Sequence, residues 1–205
     1  MDDVLETYER PWHNRIPVVC LDEKLVELRK NLHPVQRTSK GISLKDYGYE
    51  RCGTANVFVI TEPQGGRHFT KVTQRRTRLD FAEALAFLAK QYPRAFTIHL
   101  VMDNLNTHSE KSLIERFGEY QGRALWARFT PHYTPKHASW LNQAEIVINL
   151  FTRTCLTGQR IPSCDELEDI ALDFFAKRTS EAWTIDWKWT RKHAKLWLDN
   201  FRMRH

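Results

Sequence analysis

The stretch Thr97-Ile98-His99-Leu100-Val101-Met102-Asp103 is a short apolar run that ends in an aspartate, and Pro17-Val18-Val19-Cys20-Leu21-Asp22 has the same form. Such runs are typical of buried strands, so each aspartate is expected where its strand leaves the core. A glutamate, Glu145, follows at the start of an amphipathic segment. Gathered carboxylates repel one another unless a cation joins them, and Mg²⁺ and Mn²⁺ prefer oxygen ligands. The three acids therefore predict a divalent metal site.

The rest of the pattern predicts an α/β domain. Two β-rich runs, 56–61 and 68–73, flank Pro63-Gln64-Gly65-Gly66 and favour a hairpin. A fifth strand is predicted at 125–129, ended by Pro131 and Pro135. Helical spacing of apolar residues predicts helices near 79–89, 111–117, 140–151 and 167–175. For Asp22 and Asp103 to meet, the first and fourth strands must be neighbours.

Two segments carry no such pattern. Residues 1–15 are polar and predict an arm or linker remnant, so the folded domain is expected to span 16–205. Residues 27–51 are mostly charged and predict a long irregular excursion.

Composition limits the class of protein. A chain of 205 residues with 41% hydrophobic content can build a proper core, which excludes disorder throughout. Its net charge of +6 favours an acidic partner such as nucleic acid without proving one. The four cysteines form no C-x-x-C pair, no leader opens the chain, and no apolar stretch approaches the roughly 18 residues that span a bilayer. These features predict a cytoplasmic protein with reduced cysteines and no membrane contact.

Each candidate residue also has an ordinary explanation. Asp22 or Asp103 alone could be a strand terminator or a cap, and Glu145 alone could be a surface carboxylate. The run of Arg75, Arg76 and Arg78 could meet phosphates or simply form a solvated face, with even odds. Structural or DNA-contact roles are favoured over zinc for three histidines, namely His108, His132 and His137. Packing is favoured over a nucleic-acid stacking surface for four C-terminal tryptophans, namely Trp183, Trp187, Trp189 and Trp197.

Three segments together carry a resemblance to a known family. They are Val18-Val19-Cys20-Leu21-Asp22-Glu23-Lys24, Val101-Met102-Asp103-Asn104-Leu105-Asn106-Thr107-His108 and His132-Tyr133-Thr134-Pro135-Lys136-His137-Ala138-Ser139-Trp140-Leu141-Asn142-Gln143-Ala144-Glu145. With Gly53-Thr54-Ala55-Asn56, they resemble the DDE catalytic domain of bacterial insertion-sequence transposases of the Tc/mariner superfamily.

The resemblance implies an RNase H-like, retroviral integrase-like fold with a mixed five-stranded sheet flanked by helices. It implies that Asp22, Asp103 and Glu145 are the catalytic residues and hold two Mg²⁺ or Mn²⁺ ions for DNA cleavage and strand transfer. DNA ends and target DNA are the expected partners, with a homodimer in the synaptic complex and a nucleoid-associated location. Expected DNA contacts are polar residues in or near the motifs, namely Arg75, Arg76, Arg78, Asn104, His108, His132, Lys136, His137 and Asn142.

Two departures from the family pattern qualify this expectation. Few residues precede Asp22, whereas similar transposases carry an N-terminal helix-turn-helix region, so a separately encoded helix-turn-helix protein is a possible partner. The separation of Asp103 from Glu145 is longer than in eukaryotic relatives, and Gly118-Glu119-Tyr120-Gln121-Gly122-Arg123 is the expected insertion loop. An RNase H-like nuclease of hybrids or branched DNA, and a non-catalytic DNA-binding remnant, are the alternative functions.

Overall fold

The computed structural model describes residues 1–33, 36–37, 43–44 and 48–202. Its strands, in chain order, are β1 (Val18–Asn31), β2 (Gln36–Arg37), β3 (Ser43–Leu44), β4 (Tyr49–Glu62), β5 (Arg67–Thr73), β6 (Ile98–Met102) and β7 (Phe129–Tyr133). Its helices are α1 (Asp2–Tyr8), α2 (Arg78–Gln91), α3 (Glu110–Phe117), α4 (Glu119–Trp126), α5 (Ala144–Phe151), α6 (Cys164–Ser180) and α7 (Arg191–Arg202). A 3₁₀ turn, Ser139–Leu141, precedes α5, and a π-helical turn, Thr152–Leu156, follows it.

Five strands form one mixed sheet with the order β5-β4-β1-β6-β7. The predicted hairpin is present as the antiparallel pair β4 and β5, β1 is antiparallel to β4, and β1, β6 and β7 are parallel. The first and fourth predicted strands, β1 and β6, are therefore neighbours, as the meeting of the two aspartates requires. The expected mixed five-stranded sheet flanked by helices is confirmed.

Side chains alternate between two cores on opposite faces of this sheet. Along β1, Cys20 and Val26 point into one core, and Val19 and Leu21 point into the other. The Cys20 side is covered by α1, α5 and α6, whereas the Leu21 side is covered by α2 and α3. Because strand side chains alternate with period two, Asp22 lies on the Cys20 side. The sheet thus presents Asp22 to the helices that follow β7.

The first predicted strand is too short. It was expected to end at Asp22, but β1 continues to Asn31, because two partners of different length pair with it. The parallel partner β6 pairs only along Val18–Cys20, whereas β4 pairs from Cys20 onward to Asn31. Val26 and Leu28 alternate with charged residues along this extension, a one-sided strand pattern within the segment predicted as irregular. Within the same segment, β2 and β3 form a short antiparallel pair and β4 begins at Tyr49, whereas 34–35, 38–42 and 45–47 lie outside the described residues.

The predicted fifth strand, 125–129, lies further along the chain, because β7 begins at Phe129 and includes Pro131. The predicted insertion loop, 118–123, is mostly helical, because residues 119–126 form α4. Proline is tolerated there because β7 is an edge strand, whose outer side has no partner in the sheet. Helices α3 and α4 approach closely at Gly122 of α4, where a Cβ atom would lie 2.6 Å from the backbone of Ile114 in α3.

Both ends of the described chain pack on the domain. Residues 2–8, predicted as part of a polar arm, form α1, and its Val4, Leu5 and Tyr8 are buried in the core. The packing interpretation holds for three of the C-terminal tryptophans, which lie partly buried against the same core, namely Trp183, Trp187 and Trp189. Trp197 is 53% exposed. No helix among the described residues is long and apolar enough to cross a membrane.

A chain of polar contacts ties α1 to β6 and β7. Arg10 Nη1 lies 3.0 Å from His99 Nε2, His99 Nδ1 lies 2.8 Å from His132 Nε2, and His132 Nδ1 lies 2.9 Å from Asp3 Oδ2. A guanidinium only donates, so His99 accepts at Nε2 and donates from Nδ1 to His132, which donates in turn to Asp3. His99 is neutral in this arrangement. His132, an expected DNA contact, is therefore a buried structural residue.

We expect this contact chain to make the protein less stable in mild acid. Burial, with the charge of Arg10 and the neighbouring His132, lowers the pKa of His99 from 6.5 to about 4, against an opposing effect of Asp3. Between those pH values the His99 side chain binds more protons in the unfolded chain than in the folded protein. Its contribution to the free energy of unfolding therefore falls as pH falls from 6.5 towards 4. His99→Gln, which does not titrate, is expected to have a shallower pH dependence in urea unfolding at pH 4.5, 5.5 and 6.5. The exposed His13, changed to Gln, is the control, and equal slopes for both variants would contradict the expectation.

Candidate active site

The pairing of β1 with β6 brings two aspartates together. Cys20 pairs with Val101 in the parallel register. Asp22 and Asp103 lie two positions beyond these residues, so both acids are at the carboxyl end of β6. Ligands of α/β sheets commonly bind at this end of parallel strands.

The third acid comes from the helix that covers this face. Glu145 lies in the first turn of α5, whose Ala144, Val147 and Phe151 are fully buried against the sheet. The burial of this helix face fixes the exposed edge that carries Glu145 above β1. Glu145 and Asp103 thus both lie near enough to Asp22 for their charges to act on it.

The pKa of Asp22 is raised by its surroundings. Partial burial and the nearby carboxylates of Glu145, Asp103 and Glu23 raise the pKa of Asp22 from 3.8 to about 7, against the opposing hydrogen bond from the Glu23 backbone N–H. Burial has the largest effect, and Glu145 is the strongest of the three charges. A carboxylate is costly to ionise here, because burial and, to a smaller extent, neighbouring negative charges disfavour its charged form.

Two hydrogen bonds orient the Asp22 carboxylate. The backbone N–H of Glu23 donates to Oδ1 at 2.7 Å, and Asn142 Nδ2 donates to Oδ2 at 3.1 Å. Each oxygen keeps a lone pair for a further partner, since a carboxylate accepts about four hydrogen bonds.

His108 lies between Asp103 and Glu23. Its Nδ1 is 2.6 Å from Asp103 Oδ1, its Nε2 is 3.2 Å from Glu23 Oε1, and its ring stacks on Phe81 at 4.4 Å between centroids. Burial lowers the pKa of His108, but the two carboxylates outweigh burial and raise it to about 9. Arg76 Nε is 3.3 Å from the other oxygen of Glu23. His108 and Arg76 therefore offset part of the negative charge of the acidic cluster formed by Asp22, Glu23, Asp103 and Glu145.

A family model described as DDE superfamily endonuclease matches residues 17–168. The chain belongs to this family. The match extends from the start of β1 through all three acids and into α6, so it covers most of this chain. No curated protein matches it.

Solved structures show the same fold. The Mos1 strand transfer complex matches with a TM-score of 0.57 at 14% identity, over 88% of this chain and 53% of the Mos1 chain. The Mos1 mariner paired end complex with Mn matches with a TM-score of 0.51 at 15% identity, over 88% and 56%. A pre-cleavage Mos1 transpososome matches with a TM-score of 0.50 at 13% identity, over 92% and 60%. This chain spans little more than half the length of each Mos1 chain. The RNase H-like fold expected from the sequence is confirmed.

The donor set of the cluster fits a hard divalent ion in chemical type. Its acids supply only carboxylate oxygens, and one oxygen each of Asp103 and Glu23 is buried without a hydrogen bond of good geometry. Within the described part of the chain, however, no three His, Cys, Asp or Glu side chains are arranged to hold one metal ion. The position of Asp103 explains this, because its carboxylate is turned towards His108.

The expected DNA contacts separate into two groups. Asn104, Lys136 and His137 line a cleft of about 420 Å³ beside Asp103, together with residues of the loop after β7. The second group is exposed at the start of α2 and consists of Arg75, Arg76 and Arg78, the first residue of that helix. Arg76 forms an ion pair with Glu23, and Arg78 pairs with Glu115. These six residues are accessible from solvent at the rim of the site or near it.

His108 and Asn142 correct the same expectation. Both were expected to contact DNA, but His108 is 3% exposed and Asn142 is fully buried, and both hydrogen bond to acids of the cluster. Sequence reasoning also gave no role to Glu23, whose side chain is only 4% exposed. Its signal is present in the sequence, since a second acid directly after Asp22 in a strand points to the opposite face of the sheet.

The raised pKa of Asp22 predicts that this acid destabilises the metal-free protein. The folded state binds the proton more tightly than the unfolded chain, so stability is lost as pH rises from 3.8 through about 7. Asp22→Asn removes the charge and is expected to raise the free energy of unfolding at pH 8 by about 1 kcal/mol. Urea unfolding in EDTA measures this. The exposed Asp173 on α6, changed to Asn, is the control, and a destabilised Asp22→Asn would show that the buried, repelled charge of Asp22 does not lower stability.

Proposed function

We propose that this chain is the catalytic domain of a transposase, which cleaves DNA strands and joins them at the cluster of Asp22, Asp103 and Glu145. The observation that supports the proposal is that Asp103, just after β6, and Glu145, in the first turn of α5, both lie near enough to Asp22 in β1 for their charges to act on it. Family membership as a DDE superfamily endonuclease supports it. The Mos1 structures with the same fold are transposition complexes, one of them with Mn.

In the proposed site, Asp22, Asp103 and Glu145 hold two Mg²⁺ or Mn²⁺ ions. When bound, the ions supply Lewis-acid stabilisation of the attacking and leaving oxygens at the scissile phosphate. Water attacks in the cleavage step and a DNA 3′-hydroxyl attacks in the joining step, so no side chain is needed as a nucleophile. Asp103 must turn from His108 towards Asp22, and the contact of His108 with Glu23 keeps the ring in place when it does so.

The proposed path of DNA follows the cleft beside Asp103. Asn104, in the loop after β6, and Lys136 and His137, in the loop after β7, line it. His137 has a φ of 64°, a backbone conformation that is uncommon outside glycine and is often held by its surroundings at functional sites. Lys136 offers a positive charge beside Asp103, which suits this cleft to hold a phosphate backbone while the acids act on one phosphate.

The expected partners follow from the same proposal. Element ends and target DNA are the substrates, and synapsis of two ends calls for a second copy of the catalytic domain. Sequence-specific recognition of the ends is assigned to a helix-turn-helix module, which a separate chain can supply. The protein then works in the cytoplasm of a bacterium, on the nucleoid.

Removing any one of the three acids is expected to abolish DNA cleavage. Asp22→Asn, Asp103→Asn and Glu145→Gln are each expected to lower Mn²⁺-supported nicking of supercoiled plasmid at least about 100-fold, because each removes a proposed metal ligand. Asp173→Asn, on the surface of α6, is the control and should nick like the wild type. Undiminished nicking by the three variants would refute the proposed site.

The same assay separates the alternative functions. Cleavage of an RNA/DNA hybrid in preference to duplex DNA would favour an RNase H-like nuclease. Binding of DNA without metal-dependent cleavage by the wild type would favour a non-catalytic remnant. The carboxylate cluster disfavours the remnant, because uncompensated negative charge has no use in a protein that only binds an anion.

Lys136 is expected to contact a phosphate in the cleft. Lys136→Ala should weaken duplex binding several-fold and lower the slope of log affinity against log salt by about 1, since one released counterion is lost. Fluorescence anisotropy at several salt concentrations measures both. Lys177, exposed at the end of α6 beside the opposite edge strand β5, is the matched control. An unchanged salt slope for Lys136→Ala would remove this lysine from the DNA path.

A further inference from the structure

Asn142 is enclosed between β1 and the start of α5. It is fully buried, and its side chain makes three hydrogen bonds. Nδ2 donates to the Leu21 carbonyl at 2.8 Å and to Asp22 Oδ2 at 3.1 Å, whereas Oδ1 accepts from the Ala144 N–H at 3.2 Å. Every part of the amide is therefore used.

These partners fix which end of the amide is which. One end faces a carbonyl and a carboxylate, both acceptors, and the other faces a backbone N–H, a donor. Only the orientation with Nδ2 towards Asp22 satisfies all three groups, because the reverse would place two acceptors against oxygen. The hydrogen bond to a carboxylate is charge-assisted and stronger than one between neutral groups.

The main chain of Asn142 is engaged as well. Its carbonyl accepts from the Glu145 N–H at 3.0 Å, and its φ and ψ of −77° and 108° are extended, between the 3₁₀ turn and α5. One residue thus contacts the start of the helix that carries Glu145, through the Ala144 and Glu145 N–H groups, and holds the carboxylate of Asp22. Serine, threonine or aspartate can also accept from the Ala144 N–H, but only an amide joins such an acceptor to an NH₂ that donates twice.

We infer that Asn142 is a positioning residue, which sets the rotamer of Asp22 and the separation of Asp22 from Glu145 for metal binding. The inference rests on the function proposed above. Partners behind metal ligands typically change metal affinity 10- to 100-fold when they are removed. Asn142 reaches the metal only through Asp22 and Glu145, so its effect is on geometry and not on the chemical step.

The test compares two buried asparagines. In Asn142→Ser, the shorter side chain keeps a hydroxyl that can accept from the Ala144 N–H but loses the NH₂ that donates to Leu21 and Asp22. The control is Asn56→Ser in β4, since Asn56 is also fully buried but lies on the other face of the sheet, and its amide has no hydrogen-bond partner within the described residues. Calorimetry with MnCl₂ in the absence of DNA gives the Mn²⁺ affinity of each protein, and thermal unfolding in EDTA gives its stability.

We expect Asn142→Ser to weaken Mn²⁺ binding about tenfold or more and Asn56→Ser to leave it within twofold. Plasmid nicking by Asn142→Ser should recover largely at saturating Mn²⁺, because affinity is lost and chemistry is kept. A merely structural role would lower nicking by the same factor at all Mn²⁺ concentrations, and that result would overturn the inference. If Asn142→Ser does not fold, Asn142→Thr fills more of the space and takes its place.

The result for the wild type separates the two proposals. Mn²⁺ binding by the wild type with equal binding by Asn142→Ser would overturn the role of Asn142 alone. Absence of Mn²⁺ binding by the wild type would overturn the metal site and, with it, the positioning role.

Discussion

The parallel pairing of β1 with β6 is the constraint on which the site depends. The register that pairs Cys20 with Val101 places Asp22 and Asp103 at equivalent positions beyond the paired segment. Because β6 ends at Met102 while β1 continues along β4, Asp22 is held in a regular strand and Asp103 begins a loop. One acid is therefore held by a regular strand, whereas the other lies in a loop, where it can turn.

The carboxylate cluster is stabilised from both faces of the sheet. On the α5 side, Asn142 and the Glu23 N–H donate to Asp22. On the α2 side, His108 stacks on Phe81 and lies between Asp103 and the Glu23 carboxylate. His108 thus offsets negative charge of Asp103 and Glu23, two of the carboxylates that, after burial, raise the pKa of Asp22.

The elements that could be read from the sequence are those whose pattern is local. The apolar runs before Asp22 and Asp103, the hairpin and the face of α5 each follow from spacing within a few residues. The long extension of β1 and the displaced β7 could not, because both depend on sheet neighbours. Charged residues are acceptable in β1 since one side of the strand is exposed, and Pro131 is acceptable in β7 since that strand is an edge.

The division of the polar residues around the site required the fold. His108, His132 and Asn142 look like DNA contacts in the sequence, because they lie in the same segments as the acids. Burial decides otherwise, since a buried polar group must be paired inside the protein, and each of these three has its partners there. Lys136 and His137, only a few residues away, line an open cleft. The segment from β7 to α5 thus supplies both groups, because it passes from the protein interior to the surface and returns before Asn142.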